Sequence, residues 1–178
     1  MSFRIEHKIK IDTSSLMSFK SWIISNGAKK LYPDRIVNSI YYDNYKYDMY
    51  NDSIEGICPR KKIRIRNYPS SDDKKFYFEI KNSSVEGRFK TRKIIDNNKF
   101  DEIKKIGIYD EQYGICVPQL FVKYSREYFK VKDVRVSIDT KIEYRDYKTN
   151  FQVSDDRVIA ELKAPKNKDA DELTNDFP

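Results

Sequence analysis

Several segments of this chain place a charged residue at every second position, and this alternation limits what the chain can fold into. The clearest examples are residues 4–11, 62–66, 78–81 and 159–163. A β-strand directs successive side chains to opposite faces of its sheet. Each segment therefore predicts a strand with one apolar face and one charged face. If such strands share a sheet, their charged sides form one continuous surface.

Two arrangements satisfy this alternation. An antiparallel sheet with one solvated face shows the same pattern, and each segment by itself fits that arrangement. Closure of the sheet would instead make the charged faces the lining of a basic channel that contains a few carboxylates. The polar positions are nearly all Lys, Arg or Glu from the first predicted strand to the last, which favours a shared lining. Because a dry interior does not hold many ions, water or a ligand must fill such a channel.

Composition favours one ordered domain with an anionic partner. The 178 residues suit a single domain, and 14 Tyr and 10 Phe indicate a strand-rich fold. The net charge of +7 favours an anionic ligand, but no nucleic-acid motif is present, so we expect no nucleic-acid partner. The two cysteines lack metal-ligand spacing, and the sequence has no signal peptide. No apolar stretch approaches the roughly 20 residues of a membrane span. These features predict a cytoplasmic chain without membrane contact of its own. A membrane partner and the oligomeric state stay open.

The predicted elements define a β-rich α+β fold. Strand patterns occur at residues 3–11, 36–43, 60–68, 75–82, 87–95, 119–130, 133–144 and 156–164. The pattern predicts an antiparallel sheet of about eight strands with a few amphipathic helices packed against it, and closure of this sheet into a barrel is one of the two arrangements described above. The helices have a clear role in this arrangement, because inward charges leave the apolar strand faces outside and in need of cover.

Two segments have the apolar periodicity of amphipathic helices. Within residues 14–26, one face carries Leu16, Phe19, Trp22 and Ile23. Within residues 99–106, one face carries Phe100, Ile103 and Ile106. The expected N-caps are Thr13 or Ser14 for the first helix and Asn98 for the second. A short helix is also expected at 45–51.

Short motifs occur in a characteristic order along nearly the whole chain. They lie at residues 6–10, 39–44, 62–68, 78–81, 87–93, 122–128, 135–140 and 161–163. Each motif is weak by itself, but the ordered set resembles the VTC domain, the polyphosphate polymerase domain of the vacuolar transporter chaperone type. That domain belongs to the wider triphosphate tunnel metalloenzymes, so the resemblance implies a closed antiparallel β-barrel of about eight strands, with helices packed outside and a tunnel that binds nucleoside triphosphate and polyphosphate. The resemblance identifies residues 1–178 as a single domain of this type.

The resemblance implies transfer of the terminal phosphate of ATP to a growing polyphosphate chain, with Mn²⁺ or Mg²⁺ as cofactor. The residues that it places against substrate phosphates are Lys8, Lys10, Arg64, Arg66, Lys81, Lys90, Arg126, Arg135 and Lys163. Those that it makes catalytic are Arg64, Arg66, Lys81, Arg126 and Glu161. Glu161 is the main expected metal carboxylate, and Glu79 and Glu6 are further candidates for the metal shell.

The residue types suit this chemistry on physical grounds. Phosphoryl transfer needs positioning of the phosphate and neutralisation of its charge more than covalent help. Strand alternation puts Arg64 and Arg66 on one side, where both guanidinium groups can grip neighbouring phosphates. A few carboxylates and substrate phosphates suffice to hold a hard divalent cation. His7 has the opposite parity from Glu6 and Lys8, so we expect it on the outer face.

Each predicted site residue also has a purely structural interpretation. Arg126 could pair with Asp139 or Glu127, and Glu161 with Lys163 as a simple cross-strand ion pair. The tyrosines are expected to pack and hydrogen-bond rather than to act in catalysis. Three further basic residues are left unassigned: Arg88, Arg92 and Lys123.

One departure from the family pattern affects the functional interpretation. In the family, a Ser-Lys-Tyr motif with a functional lysine follows the Glu-x-Lys strand, whereas this sequence ends at Pro178, about where that motif would begin. We therefore expect the C-terminal segment to be missing.

Three functions stay open on the sequence alone: a polyphosphate polymerase, a metal-dependent triphosphatase acting on inorganic or organic triphosphates, and a catalytically silent polyphosphate-binding module. Hydrolase relatives usually carry Glu-x-Glu-x-Lys in the first strand. The pattern here is Glu6-x-Lys8-x-Lys10, which favours a longer, more negative substrate and therefore the polymerase.

Overall fold

A computed structural model of the chain describes residues 4–70 and 75–165, with the side chains of 4, 5 and 165 left out. Within these ranges the chain forms ten strands and three α-helices. The strands are β1 (Arg4–Ile11), β2 (Lys29–Asp43), β3 (Arg60–Asn67), β4 (Phe76–Ser84), β5 (Gly87–Ile95), β6 (Ile108–Asp110), β7 (Gly114–Val131), β8 (Val134–Asp146), β9 (Gln152–Asp155) and β10 (Val158–Pro165). The helices are α1 (Leu16–Ser25), α2 (Asp48–Glu55) and α3 (Asn97–Ile106), and a 3₁₀ turn at Thr13–Ser15 precedes α1.

The strands form an antiparallel sheet, which confirms the predicted α+β class. Hydrogen bonds connect the strands in the order β1-β10-β8-β7-β2-β3-β4-β5, with β6 beside β7 and β9 beside β8. This order starts at β1 and ends at β5, and within the described chain no hydrogen-bonded register joins these two strands. The predicted closure of the barrel is therefore not present as a continuous ring of backbone hydrogen bonds.

All the predicted strands are present. The structure differs from the prediction where the alternation of apolar and polar residues is weak. The strands β6 and β9 span three and four residues, too few to produce a visible period. The first half of β2, residues 29–35, is mostly exposed and contains Pro33, so it lacks the apolar stripe by which a strand is recognised. The strand β7 begins at Gly114, earlier than predicted.

Contacts divide the chain into two compact units. The first contains the described residues of 4–36, 124–142 and 154–165, and the second those of 37–123 and 143–153. In the first unit, the apolar faces of β1, β8 and β10 pack with α1. The buried members of this core include Phe19, Ile23, Val136, Ile138 and Leu162. Leu16 and Trp22 pack against it, so the predicted apolar face of α1 is confirmed.

The core of the second unit lies on the apolar face of β3 and β4. Its buried members include Tyr42, Met49, Ile63, Ile65 and Ile103. Phe100 packs against this core from α3, as expected, and stacks on Phe76 with ring centroids 4.0 Å apart. Ile106, the third residue of the predicted apolar face, is 65% exposed, because α3 ends at this residue and turns at Gly107.

The helix caps differ from the predicted ones. Asp96 rather than Asn98 caps α3, and its carboxylate accepts a hydrogen bond from the backbone N–H of Lys99. Neither Thr13 nor Ser14 is the N-cap of α1, because both lie in the preceding 3₁₀ turn and Ser15 precedes the helix without a side-chain cap. Across residues 4–70 and 75–165, every helix is too short or too polar to cross a membrane.

Candidate functional site

The charged face of the second unit is built by the registers of β2, β3, β4 and β5. Residues paired across an antiparallel ladder share a face of the sheet. One row contains Tyr41, Arg64, Glu79 and Arg92. The neighbouring row contains Lys62, Lys81 and Lys90. On the other side, Ser39, Arg66 and Tyr77 form a third row. The predicted residues Arg64, Arg66, Lys81 and Lys90 therefore all lie on one face.

Glu79 is the centre of this face. Its side chain is only 3% exposed, and Arg64 donates to its Oε2 from Nε at 2.7 Å and from Nη2 at 2.6 Å. Lys90 donates to Oε1 at 2.6 Å, and Arg92 Nε lies 3.6 Å from the same oxygen. The side chains of Lys90 and Arg92 stay 46% and 45% exposed. One buried carboxylate thus holds basic groups whose outer sides are open to a ligand.

The electrostatics of this cluster favour an ionised Glu79. Burial opposes ionisation, but the charges of Arg64, Lys90 and Arg66 outweigh it and lower the pKa of Glu79 to about 2. The pKa of Lys90 is lowered, first by burial and then by the nearby charges of Arg64 and Arg66, although Glu79 opposes the shift. Burial also acts to lower the pKa of Arg64, but Tyr41 and Glu79 raise it above its usual value.

Neighbouring side chains orient the guanidinium groups. Arg64 Nη1 donates to the Tyr41 hydroxyl at 3.0 Å, and Arg66 Nε donates to Ser39 Oγ at 3.1 Å. The guanidinium carbon of Arg92 lies 3.8 Å from the centroid of the Tyr77 ring. A planar group held in this way loses little freedom when it binds a phosphate.

The charged face of the first unit is built by β1, β10 and β8. The register places Lys8, Glu161 and Ser137 in one row. The rows on either side are Glu6, Lys163 and Arg135, and then Lys10, Ile159 and Asp139. The predicted residues of these strands therefore share one face. His7 pairs with the buried Leu162 on the opposite face, as expected.

Two groups of ionic contacts connect these rows. Lys163 Nζ lies 2.9 Å from Glu6 Oε1 and 3.5 Å from Glu161 Oε2. Arg126 donates to both oxygens of Asp139, from Nε at 2.5 Å and from Nη2 at 2.6 Å. Burial acts to lower the pKa of Arg126, but Asp139 and, more weakly, Tyr124 and Glu161 raise it. The structural pairing of Arg126 with Asp139 is thus present, and ligand contact by Arg126 stays a prediction.

The carboxylates differ in how well they suit a divalent cation. No group of three or more His, Cys, Asp or Glu side chains within residues 4–70 and 75–165 could hold a metal by itself. Glu6 and Glu161 fit a site completed by phosphate oxygens, because both converge on the single Lys163 ammonium. Both oxygens of Glu79 are taken by cationic donors, so its contacts do not favour its predicted place in a metal shell.

The structure adds residues that the sequence analysis missed. Arg92 was left unassigned, although it has the same strand parity as Lys90 and that parity could have identified it. Tyr41 and Ser39 orient Arg64 and Arg66, and no sequence signal separated them from packing residues. Of the other two unassigned bases, Lys123 pairs with Glu143 at 3.3 Å and Arg88 is exposed.

The fold and these basic faces define the class of protein. The chain has the same fold as several solved structures, among them two described as putative adenylate cyclases. A family model described as the VTC domain matches residues 3–176, and the chain belongs to that family. No curated protein matches the chain.

Solved structures show the same fold at low sequence identity. A "putative adenylate cyclase" from Bacillus halodurans is 10% identical with a TM-score of 0.64, and the match covers 98% of this chain and 85% of that one. A conserved hypothetical protein from Pyrococcus furiosus is 16% identical with a TM-score of 0.56, covering 98% and 85%. A "putative adenylyl cyclase" from Hippeastrum, described as revealing a dominant triphosphatase activity, is 13% identical with a TM-score of 0.58, covering 97% and 83%.

Proposed function

We propose that the chain is a polyphosphate polymerase domain that transfers the terminal phosphate of ATP to a growing polyphosphate chain. The observation that carries the proposal is the Glu79 cluster, in which one buried carboxylate positions Arg64, Lys90 and Arg92. A single carboxylate among these bases and Arg66 leaves the face positive. Such a face suits a repeating chain of phosphates better than one small anion, because each base can meet a different phosphate.

The second unit's residues have distinct tasks in this proposal. The guanidinium groups of Arg64 and Arg66 are already oriented by Tyr41 and Ser39, so they can hold phosphate oxygens without first being ordered. Lys81 and Lys90 add mobile point charges along the same face. Their combined effect is to neutralise charge that builds up on the transferred phosphoryl group.

The charged face of the first unit has carboxylates of its own, Glu161 and Glu6. We assign Glu161, with Glu6 beside it, to Mn²⁺ or Mg²⁺, while Lys163 moves from the carboxylates to a phosphate when substrate binds. A cation held there would supply positive charge that stabilises the leaving group. Arg126 keeps its bidentate pair with Asp139 and offers its remaining N–H groups to the substrate. Lys8, Lys10 and Arg135 lie on the same face as further phosphate contacts.

A metal-dependent triphosphatase is the second candidate. The Hippeastrum neighbour, described as having a dominant triphosphatase activity, favours it, because water can replace the polyphosphate acceptor on a similar face. The first strand favours the polymerase, because Lys8 stands where hydrolase relatives usually carry a second glutamate. The two candidates share the metal and the phosphate contacts and differ only in the acceptor.

The test is incubation of the purified chain with γ-labelled ATP and Mn²⁺, with products separated by size. A ladder of long polyphosphate is the expected result. Free phosphate without a ladder would instead identify a triphosphatase, and absence of turnover with tight polyphosphate binding would identify a binding module. Glu161→Gln should abolish the ladder, whereas Glu102→Gln, on the exposed surface of α3, should leave it unchanged.

A further inference from the structure

The helix α2 and the loop before it expose a group of large apolar side chains in the second unit. This group, which we call the α2 face, consists of Tyr45, Tyr47, Tyr50 and Ile54, and its members are 39% to 69% exposed. Positions 47, 50 and 54 are three and four residues apart, so they lie on one side of the helix. The phosphate contacts proposed above do not involve this surface.

The four side chains of the α2 face form one continuous patch. Tyr47, Tyr50 and Ile54 form part of the wall of a cavity with a volume of about 670 Å³. Lys148 connects Tyr45 to the same surface, because its Nζ lies 5.0 Å from the centroid of the Tyr45 ring and 5.7 Å from that of the Tyr47 ring. Scattered apolar residues on a protein surface are ordinary, whereas a contiguous exposed patch marks an interaction site.

A network of hydrogen bonds holds the loop that carries these tyrosines. Tyr47 has a φ of 59°, a left-handed backbone conformation that is unfavourable for a bulky residue. Asn44 fixes the loop around it, because its Oδ1 accepts from the backbone N–H groups of Lys46 and Asp48, and its Nδ2 donates to the carbonyl of Tyr113, each at 3.1 Å. Strain of this kind persists only where the surrounding structure imposes it, and it is concentrated at functional sites. Side chains that are ordered before binding also lose less entropy on association.

Opposite charges lie at the two ends of α2. Lys46 precedes the N-terminal end of the helix, Glu55 is its last residue, and both are exposed. Within residues 4–70 and 75–165, neither side chain forms an ion pair. The helix has eight residues and is therefore about 12 Å long. If a second copy of α2 packs antiparallel on the first, Lys46 of each copy meets Glu55 of the other.

We propose that the α2 face is the interface of a two-fold symmetric homodimer, in which the α2 helices of the two copies pack antiparallel. A two-fold axis brings the same patch of both subunits together, so the patch must be complementary to itself. The α2 face meets this requirement with an apolar centre and with opposite charges at its ends. Tyrosines in an apolar centre are typical anchors of protein interfaces. An anionic partner would instead meet Glu55 with like charge, which disfavours it.

The test is sedimentation equilibrium of the full 178-residue chain over a wide range of protein concentrations. We expect reversible association to twice the mass of the chain. Ile54→Asp should weaken the dimer about tenfold or more, because it places a charge in the apolar centre of the interface. Ile106→Asp is the matched control and should leave the dissociation constant unchanged, since Ile106 is 65% exposed at the end of α3, against 66% for Ile54, and lies outside the α2 face.

An exchange of charges tests the antiparallel arrangement. Lys46→Glu and Glu55→Lys should each weaken the dimer about tenfold or more, because each homodimer then contains two pairs of like charge. An equimolar mixture of the two variants should associate as strongly as the wild type, because the mixed dimer contains one native pair and one reversed pair.

Three results would overturn the proposal: a wild type that stays monomeric at every concentration, a dimer that Ile54→Asp does not weaken, or a mixture of the charge variants that stays monomeric. Both charged positions are exposed, so the charge variants should fold normally. Sedimentation requires no turnover, so its result is independent of the proposed polymerase activity.

Discussion

Arg64 and Glu79 face each other across the β3–β4 ladder, and both the Nε and the Nη2 of Arg64 donate to the same carboxylate oxygen of Glu79. The other oxygen is left to Lys90 and Arg92. Glu79, on β4, is therefore the common partner of basic groups from the two neighbouring strands β3 and β5 of the second unit. Its role in this arrangement is to hold cations in position, and the arginine and lysine side chains are the groups that we propose to contact phosphate.

Glu79→Gln should lower the free energy of unfolding by about 3 kcal/mol, because removing the charge leaves partly buried cations without their partner. The measurement is urea denaturation of the two proteins at neutral pH, with equal m-values confirming a comparable unfolding transition. Glu102→Gln removes a carboxylate whose side chain is 49% exposed and should change stability by less than about 0.5 kcal/mol. Equal stability of wild type and Glu79→Gln would show that the cluster is not coupled to folding.

The low pKa of Glu79 predicts a specific acid dependence. Folding lowers this pKa from 4.5 to about 2, so between these values the unfolded chain binds more protons than the folded one. The stabilisation is complete above pH 4.5 and is lost as the pH falls towards 2. In Glu79→Gln this part of the pH dependence should disappear, as the free energy of unfolding measured at a series of pH values would show. Parallel curves for the two proteins would contradict the assignment.

The sequence predicted the strands well but the site only in part, and particular residues show the physical reasons. Period-two alternation marks β3, β4 and β10 directly, because the apolar face of each packs in a hydrophobic core. The partners of Glu79 depend on the β4–β5 register, which a two-residue loop at 85–86 sets by pairing Ser84 with Gly87. That loop, Val-Glu, lacks the Asn-Gly type of signal that identifies a tight hairpin, so the alignment of Glu79 with Arg92 was not predictable.

Arg126→Lys should lower polyphosphate synthesis about tenfold while the net charge stays the same, because lysine cannot reproduce the two parallel hydrogen bonds to Asp139. The loss should appear in kcat more than in KM, as expected when a phosphate contact is made mainly in the transition state. Arg157→Lys is the matched control in the same unit, since Arg157 is 57% exposed and pairs with Asp155 on the surface. If Arg126→Lys is as active as the wild type, Arg126 is not a catalytic residue.

Arg92→Gln should weaken polyphosphate binding and make it less sensitive to salt. The side chain is 45% exposed above the buried Glu79, so it can release counterions from one phosphate. When the logarithm of the binding constant is plotted against the logarithm of the salt concentration, the slope should be smaller in magnitude by about 0.7 to 1 than in the wild type. Lys99→Gln serves as control, because Lys99 is 51% exposed on α3 and pairs with Glu102 away from the charged face. An unchanged slope for Arg92→Gln would place Arg92 outside the phosphate contacts and leave its stacking on Tyr77 as its role.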